Sequence, residues 1–139
     1  MRVHNFKYRK YQKIRAKKDT LDFKAIGLLY GFCGLRALES YRVTGAQLES
    51  ARRSLKKVVK KLGDVSIRVE ANLPVTKKPA EVRMGKGKGS YSHSVRVVKV
   101  GTILFELGGA HLNPKLAEEA CLQASQRLPF KTEIVFFKN

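Results

Sequence analysis

Residues 83–89 read Arg83-Met84-Gly85-Lys86-Gly87-Lys88-Gly89, three glycines alternating with two lysines behind an arginine. Glycine reaches backbone conformations closed to other residues and lets main chain come close to a partner. The lysines bring positive charge to that close approach. Such a loop is suited to press main chain and charge against phosphate oxygens.

Two enzymatic uses of a glycine-rich phosphate loop fail on spacing. A nucleotide-hydrolase loop needs a Gly-Lys pair followed directly by Ser or Thr, with another glycine at a fixed distance upstream. A dinucleotide loop needs Gly-x-Gly-x-x-Gly opening a helix. Here Gly89 is followed by Ser90-Tyr91-Ser92-His93-Ser94 and then by strand-like alternation. The three serines lie near His93, but no carboxylate sits close in sequence, and loop hydroxyls of this kind commonly bind backbone or phosphate. His4, His93 and His111 are scattered and none pairs with a cysteine or carboxylate at metal-ligand spacing. No catalytic residue, no metal and no cofactor is assigned, and the chain does not read as an enzyme.

The rest of the chain shares the loop's charge. There are 29 Lys+Arg against 11 Asp+Glu, a formal net charge of +18 over 139 residues. A domain this small repels itself at that charge and is most comfortable on a polyanion, with nucleic acid the default and an anionic membrane surface the weaker alternative. No apolar run approaches the roughly 18–20 residues that span a bilayer. Cys33 and Cys121 sit in apolar surroundings far apart in sequence and read as small buried side chains in a reducing compartment.

Residues 1–18 carry Arg2, Lys7, Arg9, Lys10, Lys13, Arg15, Lys17 and Lys18 with no acid, and Phe6, Tyr8 and Tyr11 are interleaved. This is either a solvated tail or an arm that orders on RNA, its aromatics stacking on bases. The rest of the chain is also basic, which favours the arm. An acid-free basic start also fits an organellar import sequence. We divide the chain into an arm, residues 1–22, and one domain, residues 23–139.

The elements that must hold the loop follow from periodicity. Residues 25–43 mix apolar residues with glycines and read as one or two strands with tight turns. Thr44 and Gln47 form a capping box for a helix whose stripe is Leu48, Ala51, Leu55, Val58, Val59 and Leu62, with Gly63 at the stop position. Its other face carries Arg52, Arg53, Lys56, Lys57, Lys60 and Lys61. Like charges at i,i+4 weaken a helix, and six cations without an interleaved acid point to a partner that supplies the negative charge. Val65, Ile67 and Val69 alternate as a half-buried strand. Pro74 and Pro79 bracket a rigid loop. Val95 and Val97 restart alternation, and Val100-Gly101-Thr102 turns into Ile103, Phe105 and Leu107 as the return strand of a hairpin. Asn113 caps a second helix with Pro114 in its first turn; it buries Leu116, Ala120, Ala124 and Leu128. Residues 132–137 form a last strand. The expected class is α+β: two helices packed on a mixed, largely antiparallel sheet, with a basic N-terminal extension and a glycine-lysine loop.

Lys78-Pro79-Ala80-Glu81-Val82-Arg83-Met84-Gly85-Lys86-Gly87-Lys88-Gly89 resembles the signature of the universal large-subunit ribosomal protein sixteen family, Lys-Pro-x-x-Val-Arg-Met-Gly-Lys-Gly-Lys-Gly. Gly31-Phe32-Cys33-Gly34-Leu35-Arg36-Ala37 resembles the family's Gly-x-x-Gly-Leu-Lys-Ala. Thr44, Gln47, Glu49, Ala51, Arg52 and Arg53 resemble its Thr-x-x-Gln-x-Glu-x-Ala-Arg-Arg, and residues 101–106 resemble the strand after the loop. The resemblance runs through nearly the whole chain in order.

It implies a structural constituent of the large ribosomal subunit, bound to large-subunit rRNA near the peptidyl transferase centre. The family's glycine-lysine loop and basic arm reach toward the aminoacyl-site tRNA. The implied RNA-facing residues are Arg83, Met84, Gly85, Lys86, Gly87, Lys88 and Gly89 in the loop. Lys7, Arg9, Lys10, Lys13 and Arg15 belong to the arm, Arg36 to the first strand, and Arg52, Arg53, Lys56, Lys57 and Lys60 to the helix. Implied partners are rRNA, the tRNA acceptor arm and neighbouring ribosomal proteins, with no membrane. Some relatives hydroxylate the arginine at the position of Arg83. Residues 38–42 and 90–93 depart from the family pattern. With the lysine-rich helix, they suggest an organellar ribosome, mitochondrial before plastid, with a divergent bacterium as runner-up. A free RNA chaperone is the alternative reading.

Overall fold

The computed structural model describes residues 8–14, 21 and 26–137. Strands β1 (Cys33–Ala37) and β2 (Tyr41–Thr44) lead into helix α1 (Gly45–Val59). Strands β3 (Asp64–Ile67), β4 (Leu73–Lys77), β5 (Ser90–Val98) and β6 (Ile103–Gly108) follow, then helix α2 (Pro114–Ser125) and strand β7 (Thr132–Phe136). The class is α+β. The strands are shared between two sheets, ordered β3-β6-β1-β7 and β2-β5-β4. Every ladder between these strands is antiparallel, and the one parallel pairing is an isolated bridge from Leu21 to Val100.

Strand β6 shows why the expected β5–β6 hairpin does not form. Ile103, Leu104, Phe105, Glu106 and Leu107 are all fully buried. A strand apolar on both faces needs cover on both faces and a neighbour on each edge, and β6 gets both by lying between β3 and β1. The chain therefore crosses from one sheet to the other at Val100-Gly101-Thr102. Gly101 takes φ +87°, and its N–H donates to the Ala37 carbonyl at 2.8 Å while the Ala37 N–H donates to Thr102 at 2.9 Å. The crossing is thus pinned to the end of β1.

Helix α1 starts as its sequence predicts. The Gln47 N–H donates to Thr44 Oγ1 at 3.2 Å, and the Thr44 N–H donates to Gln47 Oε1 at 2.9 Å. Leu48, Ala51, Leu55 and Val59 are buried, but Leu62 lies past the helix end and is exposed. Gly63 is not a left-handed stop. Lys60 takes the positive φ, and a Cβ on Gly63 would meet the Gly108 carbonyl oxygen at 2.6 Å. Helix α2 is capped by Asn113, whose Oδ1 accepts from Lys115 N–H at 3.0 Å, and buries Ala117, Ala120, Cys121 and Ala124.

The two helices pack on each other and on the four-stranded sheet. Directly opposed residues in a ladder share a face, so Cys33, Leu35, Phe105 and Leu107 point the same way. The sulfur of Cys33 lies 3.8 Å from that of Cys121 on α2, which makes this the helix-facing side. Both cysteines are buried and free, as composition suggested, although nothing in their spacing brings them together. Their contact splits the two thiols: Cys121 holds Cys33 below the ordinary thiol range, while the same contact and burial push Cys121 up.

The expected proline-bracketed loop is instead strand β4. Pro74 is tolerated there because β4 is an edge strand, paired with β5 alone, and needs no second ladder donor. Strand β5 starts at Ser90, five residues before the Val95 alternation. A bulge delays that alternation: Val75 opposes His93 and Thr76 opposes Tyr91, which leaves Ser92 as the extra residue.

Candidate nucleic-acid interface

Strands β4 and β5 form the hairpin that carries the glycine-lysine loop. Its stem closes because Gly89 lies flat against Lys77 and Lys78. A Cβ at residue 89 would sit 2.6 Å from the Lys77 carbonyl carbon and oxygen and 2.8 Å from the Lys78 nitrogen. Gly85 and Gly87 have open space around them but take φ +99° and +91°, and Lys86 between them takes φ +53°. Three successive left-handed residues curl the tip, and only glycine does so without steric cost.

Residues 81–88 are all exposed, Met84 by 94%. An unbranched thioether thrust into solvent is an apolar tip that packs on little among the described residues. The Lys78 ammonium donates to the Gly85 carbonyl and braces the curl from the stem. Lys86 makes no hydrogen bond or ion pair with the described residues.

The arm meets the loop. The Lys10 ammonium donates to the Lys88 carbonyl at 3.1 Å, and the Lys88 ammonium donates to the Tyr11 carbonyl. An ammonium has three donors, so each lysine keeps two for an anion. Tyr8 and Tyr11 meet edge to face, ring centroids 6.5 Å apart. Arg9, Lys10 and Lys13 therefore belong to a segment held beside the loop, while Lys7 and Arg15 lie outside the described residues.

The helix cations divide into two groups. Arg52 donates to both Glu49 carboxylate oxygens, through Nε at 2.9 Å and Nη2 at 2.8 Å, and Arg53 donates through Nε at 3.1 Å. These bonds, with Arg52 the larger cause, hold the Glu49 carboxyl at about 2. The face expected to lack any acid thus has one a turn upstream, and it engages two of the six cations. Lys56, Lys57, Lys60 and Lys61 stay exposed, with no side-chain bond among the described residues. Arg36 pairs with Glu133 Oε2 at 2.7 Å, directly across the β1–β7 ladder.

A polar cluster with no signature in spacing fixes the turn before β1. Glu106 is fully buried, and its carboxylate accepts from the N–H groups of Leu29 (3.2 and 3.1 Å), Tyr30 (2.6 Å) and Gly31 (3.1 Å) and from Arg68 Nη1. Gly31 allows this contact, since a Cβ there would fall 2.2 Å from the Leu107 carbonyl oxygen. The one available signal was an acid inside an apolar strand, which must find partners when buried.

Among the described residues there is no group of His, Cys, Asp and Glu that could hold a metal, and no helix long and apolar enough to cross a membrane. What the described surface offers is a curled, basic, backbone-exposing finger in contact with a basic arm segment and, separately on α1, a lysine-bearing face. Exposed ammonium groups and exposed main-chain N–H groups of this kind are chemically suited to anionic oxygens.

Residues 3–135 match the family described as Ribosomal protein L16p/L10e, and the chain belongs to that family. It is 46% identical over 129 residues to the large ribosomal subunit protein uL16 of Erythrobacter litoralis, covering 93% of this chain and 87% of the relative. The uL16 proteins of Borrelia turicatae and Borrelia hermsii are 44% and 43% identical over 129 residues, each 91% covered.

Proposed function

We propose that this chain is a structural constituent of the large ribosomal subunit. Its 23–139 domain binds large-subunit rRNA, and its loop and arm, residues 1–22, face the aminoacyl-site tRNA near the peptidyl transferase centre. Family membership supports the ribosomal part. The observation that carries the RNA-facing part is the reciprocal lysine contact, Lys10 on the Lys88 carbonyl and Lys88 on the Tyr11 carbonyl, which joins two basic segments at one place. Two cationic segments converge against their own repulsion, and a polyanion at that place removes the cost.

The mechanism is neutralisation of phosphate charge with release of counterions. Arg83, Lys86 and Lys88 supply charge at the finger, and Gly85, Gly87 and Gly89 let main chain approach. Lys56, Lys57, Lys60 and Lys61 offer a second strip for an RNA backbone. Folded RNA is read through shape, phosphates and 2′-hydroxyls, so no side chain here performs chemistry, and peptide transfer belongs to the RNA. In this reading the ribosome is mitochondrial, on the divergence of residues 38–42 and 90–93; the bacterial relatives fit a bacterial ribosome as well.

Lys86→Ala is the cleaner test, because Lys86 holds nothing within the described chain, while Lys88→Ala also releases the arm. Ribosomes with both changes should accommodate aminoacyl-tRNA more slowly while their large subunits still assemble. Unchanged accommodation removes the tRNA role. A wild-type chain that strips off large subunits at moderate salt is a free RNA chaperone and removes the ribosomal role.

A further inference from the structure

Tyr30 stands out in the turn before β1. The residue is 72% exposed, and Leu29 beside it is 69% exposed. A single exposed aromatic is ordinary, but this one is held in an unusual way. The N–H groups of residues 29, 30 and 31 all donate to the Glu106 carboxylate, which is fully buried. Gly31 presses the same backbone onto the Leu107 carbonyl. The guanidinium carbon of Arg68 lies 5.8 Å from the centre of the Tyr30 ring, and Arg68 is itself fixed by Glu106. Backbone and one side of the ring are thus set before any partner arrives, so little ordering entropy is left to lose on binding.

We propose that the open face of Tyr30 holds an unpaired base of the large-subunit RNA, an inference that rests on the ribosomal reading above. A base is planar and stacks on a tyrosine face. A cation on the far side of the ring completes a base–tyrosine–guanidinium stack of the kind that RNA-binding surfaces use. Charge selects the same occupant. The carboxylate touching this turn, Glu106, is spent on the three amides and Arg68. The turn therefore presents a ring, a leucine and the edge of a guanidinium, on a chain of net charge +18. The phosphates flanking any RNA base are drawn to such a surface, whereas an apolar protein segment gains nothing from the charge.

The test uses the full chain assembled into large subunits with a photo-crosslinking benzoylphenylalanine in place of Tyr30. The expected product is a crosslink to one unpaired or bulged nucleotide. A crosslink to a protein, or to nucleotides within a regular duplex, overturns the proposal. A second measurement separates stacking from plain burial. In rRNA binding at fixed salt, Tyr30→Phe should stay within about twofold of wild type, while Tyr30→Ala and Tyr30→Leu should each lose about tenfold, the size of one lost base–aromatic stack. Equal binding by the leucine variant and wild type overturns the proposal, as does unchanged binding by the alanine variant. The ribosomal reading fails separately, if the wild-type chain does not co-sediment with large subunits.

Discussion

Glu106 and Arg68 form an ion pair on the β3–β6 side of the sheet, with the Glu106 carboxylate fully buried and the Arg68 side chain only 15% exposed. The carboxylate also accepts three backbone N–H groups, so its lone pairs are well used and its burial is compensated.

Glu106→Gln therefore removes more than one bond. It leaves the Arg68 guanidinium without a counter-charge and turns one acceptor oxygen into a donor facing backbone N–H groups. Breaking one side of a buried pair costs about 3–5 kcal/mol. Urea unfolding should show that loss, and the paired change Glu106→Gln with Arg68→Met should recover part of it. A loss below about 1 kcal/mol, the scale of an exposed pair, would contradict the structural role.

Gly89 is fixed by contact rather than by backbone angle. Gly89→Ala puts a methyl against the Lys77 and Lys78 main chain, which cannot yield without opening the β4–β5 ladder. We expect a stability loss of about 1–3 kcal/mol. Gly85→Ala and Gly87→Ala strain a positive φ in open space and should each cost on the order of 1 kcal/mol. The order Gly89 worst, read by denaturant midpoints, checks this; equal costs would refute it.

Glu49 links α1 stability to pH. Its folded carboxyl is held at about 2, below the ordinary value of 4.5. A depressed carboxyl contributes stability above its unfolded value and loses it as pH falls toward the folded one. The gap in melting temperature between wild type and Glu49→Gln should be largest near neutrality and shrink from about pH 4.5 downward. A gap that widens on acidification would show that the arginines do not hold this carboxylate.

Cys33 and Cys121 should remain thiols in the folded protein, with sulfurs 3.8 Å apart in the core. A water-soluble disulfide reagent should titrate both only after unfolding. Rapid labelling of the native protein would show that β1 and α2 do not bury them as described.

The loop, the first helix and its capping box were legible in the sequence because they are local. Glycine at alternate positions, Thr44 with Gln47, and apolar residues three and four apart act within a turn or two of chain. The class α+β and the family followed from the same local signals in order. Residues 83–89 could be read as a glycine-lysine loop before any strand was placed.

Partnerships across distance were not legible. Sequence alone paired β5 with β6, because alternation resumes on both sides of a turn. The double burial of Ile103 through Leu107 instead placed β6 between β3 and β1. Gly63 read as a helix-stop glycine and Gly89 as a loop glycine, yet Gly63 is required by the Gly108 carbonyl and Gly89 by Lys77. The clasp of Lys10 on Lys88 joins residues 78 positions apart, and the turn at Tyr30 is held by an acid 76 positions away. Periodicity fixes which face of an element is apolar. Which elements share an edge is decided by packing the whole chain so that every buried backbone and charged group finds a partner. The sequence determined the charged finger and its family; the tertiary structure decided what stands beside it.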